Sequence, residues 1–268
     1  MRYNMTGSIV VYNLVFEEVS ECIDSFLKNG GSSIVVIDSK SPNQDSFLKL
    51  KTAYQNNSAV HFIKMTKNYG FGTGHNRGFE YLKNNNLLQE FHSILNPDLI
   101  IQDDAIKNAF EFLKSNQDIA ILSPMIQSLN GDIQYLNKEF PNIFDMFIRR
   151  FLPKFILNLK YFTNRYNKYT RMAIGYDKIC QVPFASGACL FMRSEIFEKL
   201  KGFDEKFFLY MEDADFSKRA WEFGTVVYNP NIKVYHHWRR ESAKSLKMTL
   251  VMIKSMVTYF NKHKWLLF

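Results

Sequence analysis

Potential chemistry is densest between Gly202 and Asp215, where Asp204, Glu205, Glu212, Asp213 and Asp215 surround the run Phe207-Phe208-Leu209-Tyr210. Carboxylates among aromatics are costly unless they bind or cap something, because burial penalises the charged form. The same desolvation raises a carboxylate's pKa and suits a general base. The plainer alternative makes Glu212 and Asp213 first-turn acids that complement the dipole of a following helix. A second candidate is Asn96-Pro97-Asp98. Proline stops a strand ladder and presents Asp98 at its end, where a carboxylate can hold Mg²⁺ or Mn²⁺ against phosphate oxygens; an ordinary capped turn uses the same residues. Asp38 closes another apolar run with the same ambiguity, since Asp there commonly makes an Asx-turn. His236 and His237 precede Arg239, Arg240 and Ser242, a grouping that suits a metal or a diphosphate. Adjacent strand residues point to opposite faces, so one histidine of the two is expected in a site.

The glycine cluster from Asn68 to Gly78 holds Gly70, Gly72, Gly74 and Gly78, followed closely by helix. Either its backbone approaches a phosphate at the helix N-terminus, with Arg77 adding a charge-assisted contact, or it is a structural turn. A dinucleotide fingerprint would follow the first strand, whereas this cluster follows the third.

These residues need strands and helices to bring them together. Apolar runs predict strands over Ser8–Tyr12, Ile34–Ile37, Val60–Ile63, Phe91–Leu95 and Ile119–Leu122. Between them, Val19, Cys22, Ile23, Phe26 and Leu27 make one helix face, a helix from about His75 to Lys83 follows the glycines, and Asp103-Asp104 opens another. Alternating strands and helices predict an α/β fold, a mostly parallel central sheet flanked by helices. Ligands in such sheets lie beyond the strands' carboxyl ends, where Tyr12-Asn13, Asp38, the glycine cluster and Asn96-Pro97-Asp98 all fall. In the second half, Asn130-Gly131 signals a hairpin and 141–172 a basic, aromatic excursion. Val182–Met192 is predicted as a buried strand, Glu195–Lys201 and Glu212–Phe223 as helices, and Val226–Tyr228 and Ile232–Tyr235 as two short strands. From Lys244 onward the pattern is an amphipathic helix with Leu246, Leu250, Ile253, Val257 and Phe260 on one stripe.

The chain has 268 residues, 46% hydrophobic and 22% charged, a balance that excludes disorder. Three scattered cysteines make neither a disulfide framework nor a zinc site and suit a reducing compartment. Neither a secretory signal nor a transmembrane run is expected. The net charge of +8 is local: 149–172 holds seven Lys/Arg and no acid, 239–268 holds seven and one acid, and the remainder is net acidic. Such patches point to a polyanionic partner, nucleic acid or an anionic membrane face. The apolar stripe and the terminal Trp265-Leu266-Leu267-Phe268 favour the membrane, where each cation contributes about 1 kcal/mol; a solvated helix packed on the domain is the alternative.

Taken in order, SIVVYN, VVIDS, NYGFGTGHNRGF, ILNPD, ASGACLFMRSEIFEKLKGFDEKFFLYMEDADFSKR and VYHHW resemble the family 2 glycosyltransferases, inverting enzymes of the GT-A fold. The NPD form and the FDE…YMEDAD block look most like bacterial O-antigen and capsule rhamnosyltransferases. The resemblance implies a dTDP-rhamnose donor, or another hexosyl donor such as galactofuranose, with a lipid-linked or oligosaccharide acceptor and no nucleic acid. It implies a GT-A domain over 1–242, with a nucleotide-sugar half over 1–126 and an acceptor half over 127–242, then a basic helix over 243–268. Tyr12, Asn13, Asp38, Asn68, Gly70, Phe71, Asn76, Arg77, Asn96 and Asp98 would face the donor, and Gly187 and Glu212 the acceptor. Asp98 and His236 would hold Mg²⁺ or Mn²⁺, with His237 in reserve, and Asp213 would be the catalytic base. The family's DXD-type motif here begins with Asn96, leaving one carboxylate. The implied location is the cytoplasmic face of the bacterial cell membrane. A nucleic-acid-binding protein leaves the acidic block unexplained, and a non-catalytic scaffold has no need of Arg77, Asp98 and Asp213 together.

Overall fold

The computed structural model describes residues 2–237 and 246–267. The first half alternates strands and helices: β1 (Met5–Val11), α1 (Phe16–Lys28), β2 (Ser33–Asp38), α2 (Asp45–Ala53), β3 (Val60–Lys64), α3 (Phe71–Asn84) and β4 (Phe91–Leu95). These four strands pair in parallel in the order β3-β2-β1-β4. Every β2 residue is buried because helices cover both faces. Ile34 and Val36 pack with Ile23 and Phe26 of α1, whereas Val35 and Ile37 pack with Leu82 of α3.

The remaining elements are β5 (Leu99–Ile101), α4 (Ala105–Ser115), β6 (Ile119–Gln127), α5 (Ile143–Phe151), α6 (Lys154–Leu157), α7 (Lys160–Tyr169), β7 (Cys180–Gln181), β8 (Cys189–Arg193), α8 (Ser194–Lys199), α9 (Glu212–Ala220), β9 (Thr225–His236) and α10 (Leu246–His263). They extend the same sheet through β4-β8-β6-β9-β5, with β7 on β9. Strand β8 is antiparallel to β4 and β6, while β6 and β9 are parallel. The two halves of the sequence therefore share one sheet.

Four sequence expectations change. Helix α3 begins at Phe71, not near His75, so most of the glycine cluster is helix. A Cβ on Gly72 would meet Phe203 at 2.7 Å, on Gly74 it would meet Val10 at 2.6 Å, and on Gly78 it would meet Ile37 at 2.7 Å. Those glycines let α3 lie against β1, β2 and the Phe203 ring rather than cradle a phosphate. Val182–Met192 is not one strand, since only its end from Cys189 enters the sheet. The two short strands near Tyr228 and Tyr235 are one strand, β9, whose register against β6 shifts where Pro124 and Asn229 give way to Met125 and Lys233. Prolines 124 and 230 lack an N–H for the ladder at that point. Finally, α10 docks through Ser255, Tyr259 and Phe260, so Phe260 alone of the anticipated stripe is buried.

The expected turn at Asn130-Gly131 is present, with Gln127 bridged to Ile133 and Gly131 at φ 87°. The basic excursion 141–172 forms α5, α6 and α7. Its start is tied to the chain's end, because the Ile143 and Phe144 N–H groups donate to Leu266 O and Leu267 O at 3.0 and 3.3 Å.

Candidate functional site

The carboxyl ends of β1 and β4 open on a cavity of about 280 Å³ lined by Tyr12, Asn13, Glu18, Asn96, Pro97 and Asp98. Asn13 has φ 56°, and its N–H donates to Ser41 Oγ at 2.9 Å. Asp38 is fully buried at the end of β2, where its carboxylate accepts from Ser41 N–H at 2.9 Å and Gln44 Nε2 at 3.2 Å. It makes the Asx-type turn and shapes the loop beneath Asn13.

Asp98, at the edge of this cavity, is in direct contact with the end of β9. Its Oδ1 lies 3.1 Å from His236 Nε2, and the Asp98 carbonyl accepts from His237 N–H at 3.1 Å. The two histidines diverge as strand alternation requires: His237 turns to Glu21 at 3.2 Å, on α1. His236 is 4% exposed. Gln134 Nε2 donates to the His236 carbonyl at 3.1 Å, so its Oε1, 2.9 Å from His236 Nδ1, must accept from an Nδ1–H. Nε2 then faces the Asp98 carboxylate, an arrangement of one nitrogen and one oxygen that a divalent cation could bridge. Burial alone would raise the Asp98 pKa, but the hydrogen bond and charge of His236 outweigh it and hold the carboxyl below its ordinary value. Asn96 Nδ2 lies 3.4 Å from the same Nε2. One carboxylate and one imidazole, oriented by Gln134, suit Mg²⁺ or Mn²⁺, which take few protein ligands and complete their shell with phosphate oxygens and water.

A short peptide link joins this pair to the acidic block. Asn96 N–H donates to Ala188 O at 2.9 Å, and the neighbouring Gly187 N–H donates to Asp213 Oδ2 at 3.1 Å. A Cβ on Gly187 would lie 3.3 Å from both the Asp213 Cβ and the Phe71 ring. Phe71 of the glycine cluster thus packs beside the Gly187 whose N–H Asp213 holds.

Asp213 stands half-buried in the first turn of α9, with Ala214 N–H on its Oδ1 at 3.0 Å. Burial raises its pKa, against the attraction of Lys138 and the peptide N–H groups of Gly187 and Ala214. Glu212 is 5% exposed, and its Oε2 is among the described buried atoms that have no hydrogen-bond partner. Burial and then the neighbouring Asp213 charge push its pKa well up. Tyr210 and Met211, immediately before, both take left-handed conformations, at φ 70° and 67°. Strain of that kind costs about 1–3 kcal/mol per residue and persists where packing over-determines it. Both acids line a cavity of about 310 Å³ together with Lys138, Met146, Phe184 and Met252.

Several anticipated donor residues have other tasks. The Asn76 amide clamps the Phe203 peptide, with Nδ2 on Phe203 O at 2.9 Å and Phe203 N–H on Oδ1 at 2.8 Å. Asn68 Oδ1 accepts from Gly70 N–H at 2.9 Å, and a Cβ on Gly70 would strike Phe208 O at 1.9 Å. Because α3 starts at Phe71, Arg77 sits about two turns along it, beyond the reach of the dipole effect, and pairs with Glu80 at 2.9 Å and Glu205 at 3.5 Å. Gln134 and Lys138 carry no motif in the sequence; their roles depend on β9 and α9 folding beside them. Trp238, Arg239, Arg240 and Ser242 lie outside the described residues.

The model of the family described as "Glycosyl transferase family 2" matches residues 8–201. The chain belongs to glycosyltransferase family 2. The matched segment of this family 2 glycosyltransferase includes Asp98 and Gly187, while Asp213, His236 and α10 follow it. Among curated proteins it is 25% identical over 198 residues to the N-acetylglucosaminyl-diphospho-decaprenol L-rhamnosyltransferase of Mycobacterium tuberculosis, covering 70% of this chain and 62% of that protein. It is 26% identical over 183 residues to the Rhamnosyltransferase WbbL of Escherichia coli K12, covering 66% and 63%. The chain thus matches somewhat less than two thirds of these relatives' length. GalNAc-T7, solved with UDP, GalNAc and Mn²⁺, superposes with a TM-score of 0.67 at 16% identity, covering 90% of this chain and 44% of that one. The mannosyltransferase PcManGT of Pyrobaculum calidifontis, in complex with GDP-Man and Mn²⁺, gives 0.63 at 13% identity, covering 99% and 66%. These likenesses place the glycosyltransferase in the GT-A fold.

Proposed function

We propose that this family 2 glycosyltransferase is an inverting enzyme that moves L-rhamnose from dTDP-rhamnose onto a lipid-linked or oligosaccharide acceptor during cell-surface polysaccharide synthesis. The observation that carries the reading is the link from Asn96 through Ala188 and Gly187 to Asp213. It sets a proton acceptor beside a diphosphate-type cation site. Two curated relatives named as rhamnosyltransferases support the sugar, and the "Low-salt glycan biosynthesis hexosyltransferase Agl10" of Haloferax volcanii, 27% identical over 218 residues, keeps other hexoses in the comparison.

The donor nucleotide lies across Tyr12, Asn13 and the Asp38 loop, with its diphosphate toward Asp98 and His236. A divalent ion there would offset the negative charge growing on the leaving diphosphate. The acceptor occupies the larger cavity, and Asp213 takes the proton from its hydroxyl. That oxygen bonds to the anomeric carbon as the carbon–diphosphate bond breaks on the opposite face, inverting the centre. Glu212 remains protonated and donates through its otherwise unpartnered oxygen into the same cavity, since two adjacent buried carboxyls do not both ionise readily.

A thermal-shift screen of dTDP-, UDP- and GDP-sugars, each with and without Mg²⁺ or Mn²⁺, tests the donor. Saturation at a hundred times Kd stabilises by about 2.7 kcal/mol. A dTDP-sugar shift that grows with metal is expected; no shift with any nucleotide sugar would defeat the reading.

Glu212 gives a separate prediction. A carboxyl whose folded pKa is raised contributes stability at low pH that disappears as pH climbs through that value. Glu212→Gln, which mimics the neutral acid, is therefore expected to unfold at a higher temperature than wild type at pH 8, with the gain shrinking toward pH 4. It should retain transfer to within a few-fold, whereas Glu212→Ala should lose roughly tenfold or more. Equal melting temperatures at both pH values would show that Glu212 ionises freely.

A further inference from the structure

Helix α10 carries two apolar stripes. The inner one, with Tyr259 and Phe260, packs on Phe207, Met211 and Ala214, and Met252 reaches the wall of the Asp213 cavity. Ser255 Oγ ties it to Leu209 O at 2.8 Å. The outer stripe faces water: Leu246 is 85% exposed, Leu250 68%, Val257 41% and Ile253 38%. Just beyond the helix, Trp265, Leu266 and Leu267 are exposed as well. The helix positions i, i+4, i+7 and i+11 make the four outer residues a continuous ridge. Lys247 and Lys254, both exposed, follow this ridge one residue behind Leu246 and Ile253, and no acid occurs after Glu241. None of the described helices is long and apolar enough to cross a membrane.

We propose that the outer face of α10 docks on an anionic lipid bilayer. Resting on the transfer reading above, the docked helix sets the Asp213 cavity beside the lipid surface, so that an acceptor anchored in lipid reaches it along α10. The charge argues for lipid over a second copy of the chain: two identical faces bearing cations and no acid repel, whereas anionic headgroups attract, each lysine giving about a fivefold gain in partitioning. The apolar ridge alone would bind any bilayer, and the cations make the preference for anionic lipid. The exposed Leu266 and Leu267, just past the helix, are fixed in place by their carbonyls, which accept from the N–H groups of Ile143 and Phe144 at the start of α5.

The test is flotation of the full chain with vesicles of phosphatidylcholine, with and without phosphatidylglycerol, beside Leu250→Glu/Ile253→Glu. Wild type should float with the anionic vesicles and lose most of that binding in high salt. The double variant should bind at least a hundredfold more weakly, since each buried aliphatic side chain is worth more than tenfold. Its melting temperature should match wild type, because both side chains already face water. Wild type that ignores anionic vesicles, or a variant that floats equally well, overturns the proposal. So does a wild-type dimer in sedimentation that the variant dissolves without any vesicle binding, which would assign the ridge to self-association. No sugar donor takes part, so a negative result here leaves the nucleotide screen standing, and the converse holds.

Discussion

Asp213→Asn is expected to lose about 10²–10⁴-fold in transfer, the range of a lost general base, while folding normally and binding nucleotide as wild type does. The amide keeps the shape of the carboxyl, and its single oxygen still accepts from one of the Gly187 and Ala214 N–H groups, so the chain folds at a cost of about 1 kcal/mol for the bond that is lost. What disappears is the proton acceptor. Steady-state rates with the preferred donor, beside nucleotide affinity by calorimetry, separate the two effects. Burial raises the wild-type Asp213 pKa, so the acid limb of kcat/KM should lie above the ordinary aspartate value of about 3.9. Near-native turnover in the variant would remove Asp213 from the mechanism.

Asp215→Ala should be the most damaging change to stability. Asp215 is fully buried and takes Arg219 Nε at 2.8 Å, Lys262 Nζ at 2.7 Å and His263 Nε2 at 2.7 Å; Lys262 also reaches Asp204 at 2.6 Å. Burial lowers the His263 pKa more than Asp215 raises it, so the imidazole serves as a neutral N–H donor while Lys262 and Arg219 supply the charge. Removing the carboxylate leaves Lys262 with Asp204 alone and the Arg219 charge with only the Leu200 and Gly202 carbonyls, which costs about 3 kcal/mol. The loss should appear as a lower denaturant midpoint and as faster amide exchange in α10, because Lys262 and His263 belong to that helix. A variant with native exchange in α10 would show that the apolar packing holds the helix unaided.

From Met5 to Gln127 the strands and helices were legible where apolar period and element length agree, but not α2 or β5, whose short runs show too few apolar residues to set a period. The exceptions each have a physical source. Gly72 and Gly74 look like turn residues by propensity, yet they sit in a helix because only a glycine lets it approach Val10 and Phe203 so closely. The second half misleads where strands are interrupted: a turn at Gly187-Ala188 delays the start of β8, and β9 continues through its register shift. On α10 two apolar stripes compete, and nothing local tells which of Leu250 or Tyr259 meets the core. At the site, Asp98, Asp213 and His236 could be singled out from residue type and setting. Their partners Gln134 and Lys138 could not, since a polar residue in a connection shows its role only once β9 and α9 lie beside it. Asn76 errs in the opposite direction, an amide in a promising motif that is consumed by the Phe203 peptide.

The two hydrogen bonds, from Asn96 N–H to Ala188 O and from Gly187 N–H to Asp213 Oδ2, act as a gauge of fixed length between the proposed leaving-group site and the proposed proton acceptor. Asn96 directly follows β4 and Ala188 directly precedes β8, neighbours in one sheet, while Asp213 is held to them from the first turn of α9. Stereochemistry would then be hard-wired into the scaffold, and the choice among acceptor hydroxyls left to the replaceable walls around Lys138, Met146 and Met252. Swapping those walls should redirect linkage position without ever turning inversion into retention.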